Sequence, residues 1–360
     1  MIVGVSGRRA TRFDLSPAEV AAMLGDEPAY RARQVWSGIH AGREPEEMAE
    51  LPAALREKVA TGLPAGLHLV QESTSDGGDT DKWLWRLSDG AAVETVLMRY
   101  PDRATVCVST QAGCAMACSF CATGQAGFTR HLTTGEIVEQ VVRARRSALP
   151  RRLSNVVFMG MGEPLANYGP TWAAVERLHH DLGLSARHLT VSTVGLVPGI
   201  RRLTAEALPV NLAVSLHAAN DGLRDELVPI NRRRPLAELL AACREYVDAK
   251  GRRLSFEWAL IDGVNDRPPD AAELADIALP LAAHVNLIPL NPTPGYLVRG
   301  PSAAKVRAFR DRLRGFGVNA TVRRNKGTDI DAACGQLAAR AAEAGASQPV
   351  VLSRPPARRR

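Results

Sequence analysis

From Ala104 onward, short runs of Val, Leu and Ile alternate with longer stretches in which apolar residues recur every three or four positions. Strands covered on both faces read as continuous apolar runs, so this alternation predicts βα units around a buried parallel sheet. The runs predict strands over Ala104 to Thr110, Asn155 to Met159, His188 to Ser192, Asn211 to Ser215, Leu254 to Ile261 and His284 to Pro289. Helical periodicity follows each of them: Gly135 to Arg146 after the first, Leu236 to Lys250 after the fourth, Ser302 to Phe316 after the sixth. An extended piece, Asn319 to Arg323, closes the series. Six such units predict an α/β barrel or partial barrel.

Two smaller pieces precede it. Ser16 can cap a helix opening Pro17-Ala18-Glu19, and helical spacing continues through Val35, Trp36 and Ile39. Leu67 to Met98 reads as strands broken by the turn-forming cluster Ser75-Asp76-Gly77-Gly78-Asp79. The expected organisation is a helical accessory domain over 1–65, a β-strand connector over 66–100, a catalytic domain over 101–340 and a disordered basic tail over 341–360.

Charge adds a partner class. Lysine and arginine outnumber acids 45 to 38, a net +7 that favours a polyanion. Arginines recur in runs, among them Arg143, Arg145 and Arg146, Arg232 to Arg234, and Arg323 and Arg324. Solvated helix faces produce the same letters. Tyr30 to Trp36 interleaves basic and aromatic groups, a mixture that can hold phosphate and stack on bases, or equally line a helix with one apolar and one basic face. No stretch approaches the length of a membrane helix, and the N-terminus lacks a signal-peptide core, which places the protein in the cytoplasm with its six cysteines reduced.

Cys114, Cys118 and Cys121 follow the first predicted strand as Cys-x-x-x-Cys-x-x-Cys, with Phe120 beside the last thiol. Three thiolates on one loop can hold three irons of a 4Fe-4S cluster and leave the fourth open to a ligand. Zinc would need a fourth donor, and no histidine or cysteine lies between Cys121 and His131. The spacing resembles that of the radical S-adenosylmethionine (SAM) superfamily. Polar residues also recur at the strand ends, where barrels place active sites: Gly162 and Glu163, Ser192, Ser215-Leu216-His217, and Asn291. Each has a plainer reading as a turn, a cap or a satisfied buried imidazole. Glu163 can accept from an ammonium group.

Six phrases taken in order carry a narrower resemblance: Gln111 to Cys114 through Gly127-Phe128, Phe158 to Leu165, Ser215 to Ala218, Val228 to Asn231, Asn286 to Pro292, and Asp329 to Leu337. Together they resemble the RlmN/Cfr family of RNA methyltransferases. Val194-Gly195 departs from the Ser-Gly expected there, with Ser192 in place. The resemblance implies a partial (β/α)6 TIM-like barrel, a 4Fe-4S cluster on the three cysteines and SAM held by Gly162, Glu163, Ser192, Ser215, Leu216, His217 and Asn291. It implies methylation of carbon-2 of adenosine in 23S rRNA and tRNA, a reductant such as flavodoxin or ferredoxin, and a monomer. It further implies that Cys334 takes a methyl from one SAM, that a radical from a second SAM activates this methyl for addition to adenine, and that Cys107 resolves the RNA adduct through a disulfide.

Cys107 and Cys334 would otherwise read as structural thiols, as Cys243 does in its helix. Glu94 alternates onto the face of Val96 and Met98, an apolar face that a carboxylate normally avoids. An ion pair with an arginine is the plain explanation, while the family implies a proton acceptor. The rival readings are methylation at carbon-8, as in Cfr, and a non-catalytic, metal-stabilised RNA-binding protein. Methylthiolation would need a second cluster and three more placed cysteines.

Overall fold

The computed structural model describes residues 10–291, 299–323, 326–333 and 336–337. Cys334 and the tail 341–360 lie outside these residues. The chain opens with α1 (Pro17–Leu24), α2 (Ala29–His40) and α3 (Ala53–Gly62). Ser16 caps α1 in a reciprocal box with Glu19, as its position before Pro17 predicts. Three strands follow: β1 (His68–Ser75), β2 (Thr80–Arg86) and β3 (Ala92–Arg99).

The βα series runs β4 (Ala104–Cys107), β5 (Gln111–Gly113), α4 (Ala122–Gln125), β6 (Phe128–His131), α5 (Thr134–Ala148), β7 (Leu153–Phe158), α6 (Tyr168–His180), β8 (Leu189–Thr193), α7 (Val197–Ala205), β9 (Asn211–Ser215), α8 (Asp221–Leu227), α9 (Leu236–Lys250), β10 (Leu254–Leu260), α10 (Pro268–Ala278), β11 (His284–Pro289), α11 (Ala303–Gly315) and β12 (Ala320–Val322). Strands β4, β7, β8, β9, β10, β11 and β12 pair in parallel in that order. Flanking helices bury their apolar stripes on the outside of this sheet, with Ile137, Val138, Val141 and Val142 of α5 and Leu239 and Tyr246 of α9 fully covered.

β1, β2 and β3 extend the same sheet rather than forming one of their own. β3 pairs antiparallel with β4, placing Val96 opposite Cys107 and producing ten continuous strands. The first predicted strand stops at Cys107 because the chain then turns into a separate two-stranded hairpin, β5 with β6. The segment after β12 returns across this extension. Asp329 accepts from the Ser75 hydroxyl, Gly327 N–H donates to Asp76 Oδ2 at 3.0 Å, and Lys326 donates to the Arg99 carbonyl at 3.1 Å. Ala332 and Ala333 thereby come to lie beside Cys107 and Met98.

The helical piece is clamped to α5 by charge. Glu139, buried on α5, accepts from Gly66 N–H at 2.7 Å and pairs with Arg143, while Arg143 also meets Glu44 and Arg146 meets Glu47. Arg151 pairs with Asp79, Arg201 with Glu245 and Arg234 with Glu238. Much of the arginine excess in the sequence is therefore engaged within the chain. In α2, Val35 is buried, Trp36 is half-buried and Tyr30 is exposed with the Arg31 guanidinium over its ring.

Candidate active site

Seven parallel strands that end on one side leave an open cavity at their C-terminal ends, with about 1050 Å³ of empty space when its solvent-open mouth is included. Cys114, Cys118 and Cys121 line it on one side, with Gly162, Glu163, Ser192, Ser215, His217 and Asn291 around the rest. The expected residues thus converge, except that Leu216 is buried in the core and is not among the residues lining the cavity.

The cysteine loop is tied at its neck. Cys114 N–H donates to the Gly127 carbonyl at 2.7 Å, so close that a Cβ on Gly113, whose φ is +76°, would stand 2.0 Å from that oxygen. Behind the loop, Ser119 N–H donates to the Leu227 carbonyl at 3.2 Å, and Cys118 and Phe120 pack with Leu227 and Val228. Burial pushes the Cys114 thiol up to about 12 and raises Cys118 further, with the neighbouring cysteines adding to both. The desolvated thiols of Cys114 and Cys118 stay protonated until a cation such as iron offsets the charge, and with Cys121 on the same loop they form a donor set suited to a cluster. Among the described residues, no three His, Cys, Asp or Glu side chains gather tightly enough for a single metal ion.

Glu163 follows β7 and is fully buried. Its carboxylate accepts from Leu165 N–H at 3.0 Å and Val194 N–H at 2.9 Å, and from the Thr193 hydroxyl. Burial wins over these three donors and raises its pKa to about 7. Val194 contributes through its backbone, so a valine at this position leaves the contact intact. Gly162, at φ +100°, packs on Gln111, whose Oε1 accepts from Glu163 N–H at 2.7 Å. The glycine is therefore required by the neighbouring strand as well as by cavity space. Ser192 caps no helix, because its hydroxyl donates to the Phe158 carbonyl at 2.7 Å, and Thr193 accepts from Gly195 and Leu196 N–H.

His217 adopts φ +59°, a left-handed conformation that costs a non-glycine residue about 1 kcal/mol or more. Its surroundings hold it there: Nδ1 accepts from Ala259 N–H at 2.9 Å, its carbonyl accepts from Asn265 Nδ2 at 2.8 Å, and Phe120 meets the ring edge-to-face at 4.7 Å. Burial lowers its pKa to about 3, so the imidazole is neutral.

A second, smaller cavity is lined by Val96, Met98, Cys107, Lys326, Ala332 and Ala333. It shares Met159, Arg323 and Leu337 with the first. Glu94 is buried and ion-pairs at 3.2 Å with Lys82, a lysine rather than the expected arginine. Cys243 is buried in α9, as a structural thiol would be.

Two further charged residues line the site. Glu257 is buried on β10 and lines the cavity floor, accepting from Asn286 Nδ2 at 2.7 Å and Ser255 Oγ at 3.0 Å. Its alternation with Phe256 and Trp258 was the available signal. Arg323, at the end of β12, borders both cavities.

Comparison with known proteins decides the family. A radical SAM superfamily model matches residues 108–275. A probable dual-specificity RNA methyltransferase RlmN from Frankia casuarinae is 57% identical, covering 89% of this chain and 80% of that protein. Its counterpart from Salinispora tropica is 54% identical, with 92% and 93% covered. The chain belongs to the RlmN family. This RlmN-family chain is therefore an enzyme, a radical SAM methyltransferase that binds SAM. The crystal structure of a radical SAM methyltransferase from Sphaerobacter thermophilus, 52% identical, superposes with a TM-score of 0.88 over 92% of this chain and 99% of that one. The mixed α/β architecture of the RlmN-family fold is thus shared across nearly the whole chain. No helix among its described residues is long and apolar enough to cross a membrane.

Proposed function

We propose that this enzyme methylates carbon-2 of adenosine in 23S rRNA and tRNA, using two SAM molecules per turnover and a methylcysteine on Cys334. One observation carries the reading. Cys107 shares a small cavity with Ala332 and Ala333, the residues immediately before Cys334, and that cavity borders the cysteine-lined one through Met159, Arg323 and Leu337. Cys107 at this junction suits the resolving partner of a methyl carrier that follows Ala333 in the sequence. The RNA substrate class is supported by the relatives that bear the name of dual-specificity RNA methyltransferases.

A 4Fe-4S cluster on Cys114, Cys118 and Cys121 supplies, when bound, the electron that cleaves SAM to a 5′-deoxyadenosyl radical. Glu163 accepts from the SAM amino group, while Ser192, Ser215, His217, Asn291 and the backbone of Gly162 and Leu216 hold the remainder. Cys334 presents its methyl carbon, which gives one hydrogen to the 5′-deoxyadenosyl radical and bonds to the adenine ring. Glu94 removes the ring proton with Lys82 as its counter-cation. Cys107 attacks the Cys334 sulfur, breaking its bond to carbon, so that a proton completes the methyl group on the freed RNA and one electron is released as the disulfide forms. The cluster calls for a one-electron reductant, for which a flavodoxin or ferredoxin in the cytoplasm is suited. The helical region 1–65 contributes RNA contacts from a monomer. Mass spectrometry of nucleosides from cells with and without the protein tests the product. Loss of 2-methyladenosine on deletion is expected, and loss of 8-methyladenosine instead would reassign the position.

A further inference from the structure

Arg224, on α8, is one of the largest fully buried side chains in the molecule and carries a charge that the chemistry above does not use. All four of its hydrogen bonds go to neutral oxygens. Nε donates to the Leu216 carbonyl at 3.1 Å, and Nη1 donates to Asn231 Oδ1 at 2.7 Å. Nη2 donates to the carbonyls of Val194 at 2.6 Å and Ser215 at 3.3 Å. Asp221 and Asp225 accept from Asn231 Nδ2, so both acids orient the asparagine that orients the arginine. A buried cation needs such an arrangement, because desolvation is offset here by fixed carbonyl dipoles. Burial lowers its pKa only to about 10, leaving it charged at neutral pH.

The acceptors identify its role. Val194 and Ser215–Leu216 are the C-terminal ends of β8 and β9, which carry Ser192, Ser215 and His217 into the cavity. The peptide of Val194 whose carbonyl lies under Arg224 begins one residue after the N–H that Glu163 accepts. A hydrogen-bonded path therefore joins Arg224 through Val194 to Glu163. On its other side, α8 supports the cysteine loop through the Leu227 carbonyl and Ser119. We infer that Arg224 is a positioning residue for the SAM site: its planar fork fixes two strand ends and, through Val194, Glu163, while its charge stands beside the cysteine loop. Lysine would keep the charge but could not span four acceptors in one plane. A fixed positive charge near a cluster favours the reduced, more negative state, so its removal makes the cluster harder to reduce.

This inference rests on the reading that the cavity binds SAM beside a cluster on the three cysteines. The test uses full-length, anaerobically reconstituted protein with Arg224→Lys and Arg224→Met, measuring iron content, SAM affinity by calorimetry and midpoint potential by EPR-monitored titration. Both variants are expected to bind SAM at least about tenfold more weakly, the loss expected of one buried charge-assisted bond. Only Arg224→Met should shift the potential downward. Iron-loaded variants with unchanged SAM affinity would overturn the positioning role, and an unchanged potential in Arg224→Met would overturn the electrostatic one. Should either variant fail to fold or load iron, Asn231→Ala decides, since it removes one acceptor and leaves the cation. A severalfold loss of SAM affinity supports the inference, and none refutes it. If the unaltered protein takes up neither iron nor SAM, the reading of the cavity fails instead.

Discussion

Glu163→Gln offers the sharpest test of how the cavity receives SAM. Both carboxylate oxygens already accept backbone N–H groups, from Leu165 and Val194. Glutamine has one oxygen, so its NH2 must face one of those donors, and the charge that the proposed function offers to the SAM amino group is lost. A hydrogen bond to a charged group contributes roughly 1.5–3 kcal/mol, which corresponds to about 10- to 150-fold weaker SAM binding. The pH dependence is more diagnostic than the loss. With a pKa of about 7, Glu163 is mostly protonated at pH 6 and mostly ionised at pH 8. The ratio of wild-type to variant affinity should therefore rise roughly tenfold between those values, and titration of SAM itself cancels in the ratio. Without SAM the sign reverses. The folded state holds a proton that the unfolded state releases above about 4.5, so this residue lowers stability as pH rises from there toward 7. Calorimetric titrations of both proteins across pH 6 to 8.5 read the ratio. A ratio independent of pH would refute the assignment of the ionised carboxylate to the SAM amino group.

Cys107→Ala isolated from cells should be folded, iron-loaded and covalently linked to RNA, detected as nuclease-sensitive mass on denaturing gels; protein free of RNA would remove the resolving role. Cys118→Ser should lose most of its iron after anaerobic reconstitution, read by iron analysis and visible absorption, whereas Cys243→Ser should keep it. Gly162→Ala places a Cβ 2.5 Å from Gln111 Cβ at φ +100°, and should lower stability by roughly 1–3 kcal/mol in a denaturant titration. Thr133→Ala removes the capping box of α5 with Glu136 and should cost about 1 kcal/mol in the same assay.

The parallel core was legible because its strands are covered on both faces. Asn211–Ser215, His284–Pro289 and helix Leu236–Lys250 occur within the bounds their patterns predict. The first strand was read three residues too long, since Val108 to Thr110 are buried beyond the end of regular pairing and pattern alone cannot separate the two. The site was legible where its residues follow strand ends. Arg224 was not, because Asp221 to Leu227 reads as a charged surface helix, and its burial depends on carbonyls contributed by segments up to 30 residues away. The arginine runs were ambiguous for the same reason: Arg146 and Arg201 are paired to acids far off in sequence.

The antiparallel strands β1, β2 and β3 have a mechanical consequence. They are the mooring for the stretch that leads to Cys334, held at Ser75, Asp76 and Arg99, while the Leu337 carbonyl is held by Thr123 on α4, directly after the cysteine loop. The segment that contains Cys334, the methyl carrier under the proposed function, is thus fastened outside the parallel strands at one end and beside the three-cysteine loop at the other. Loosening the outer fastening, as in Asp76→Ala, should uncouple SAM cleavage from methyl delivery without altering a single residue of the SAM cavity.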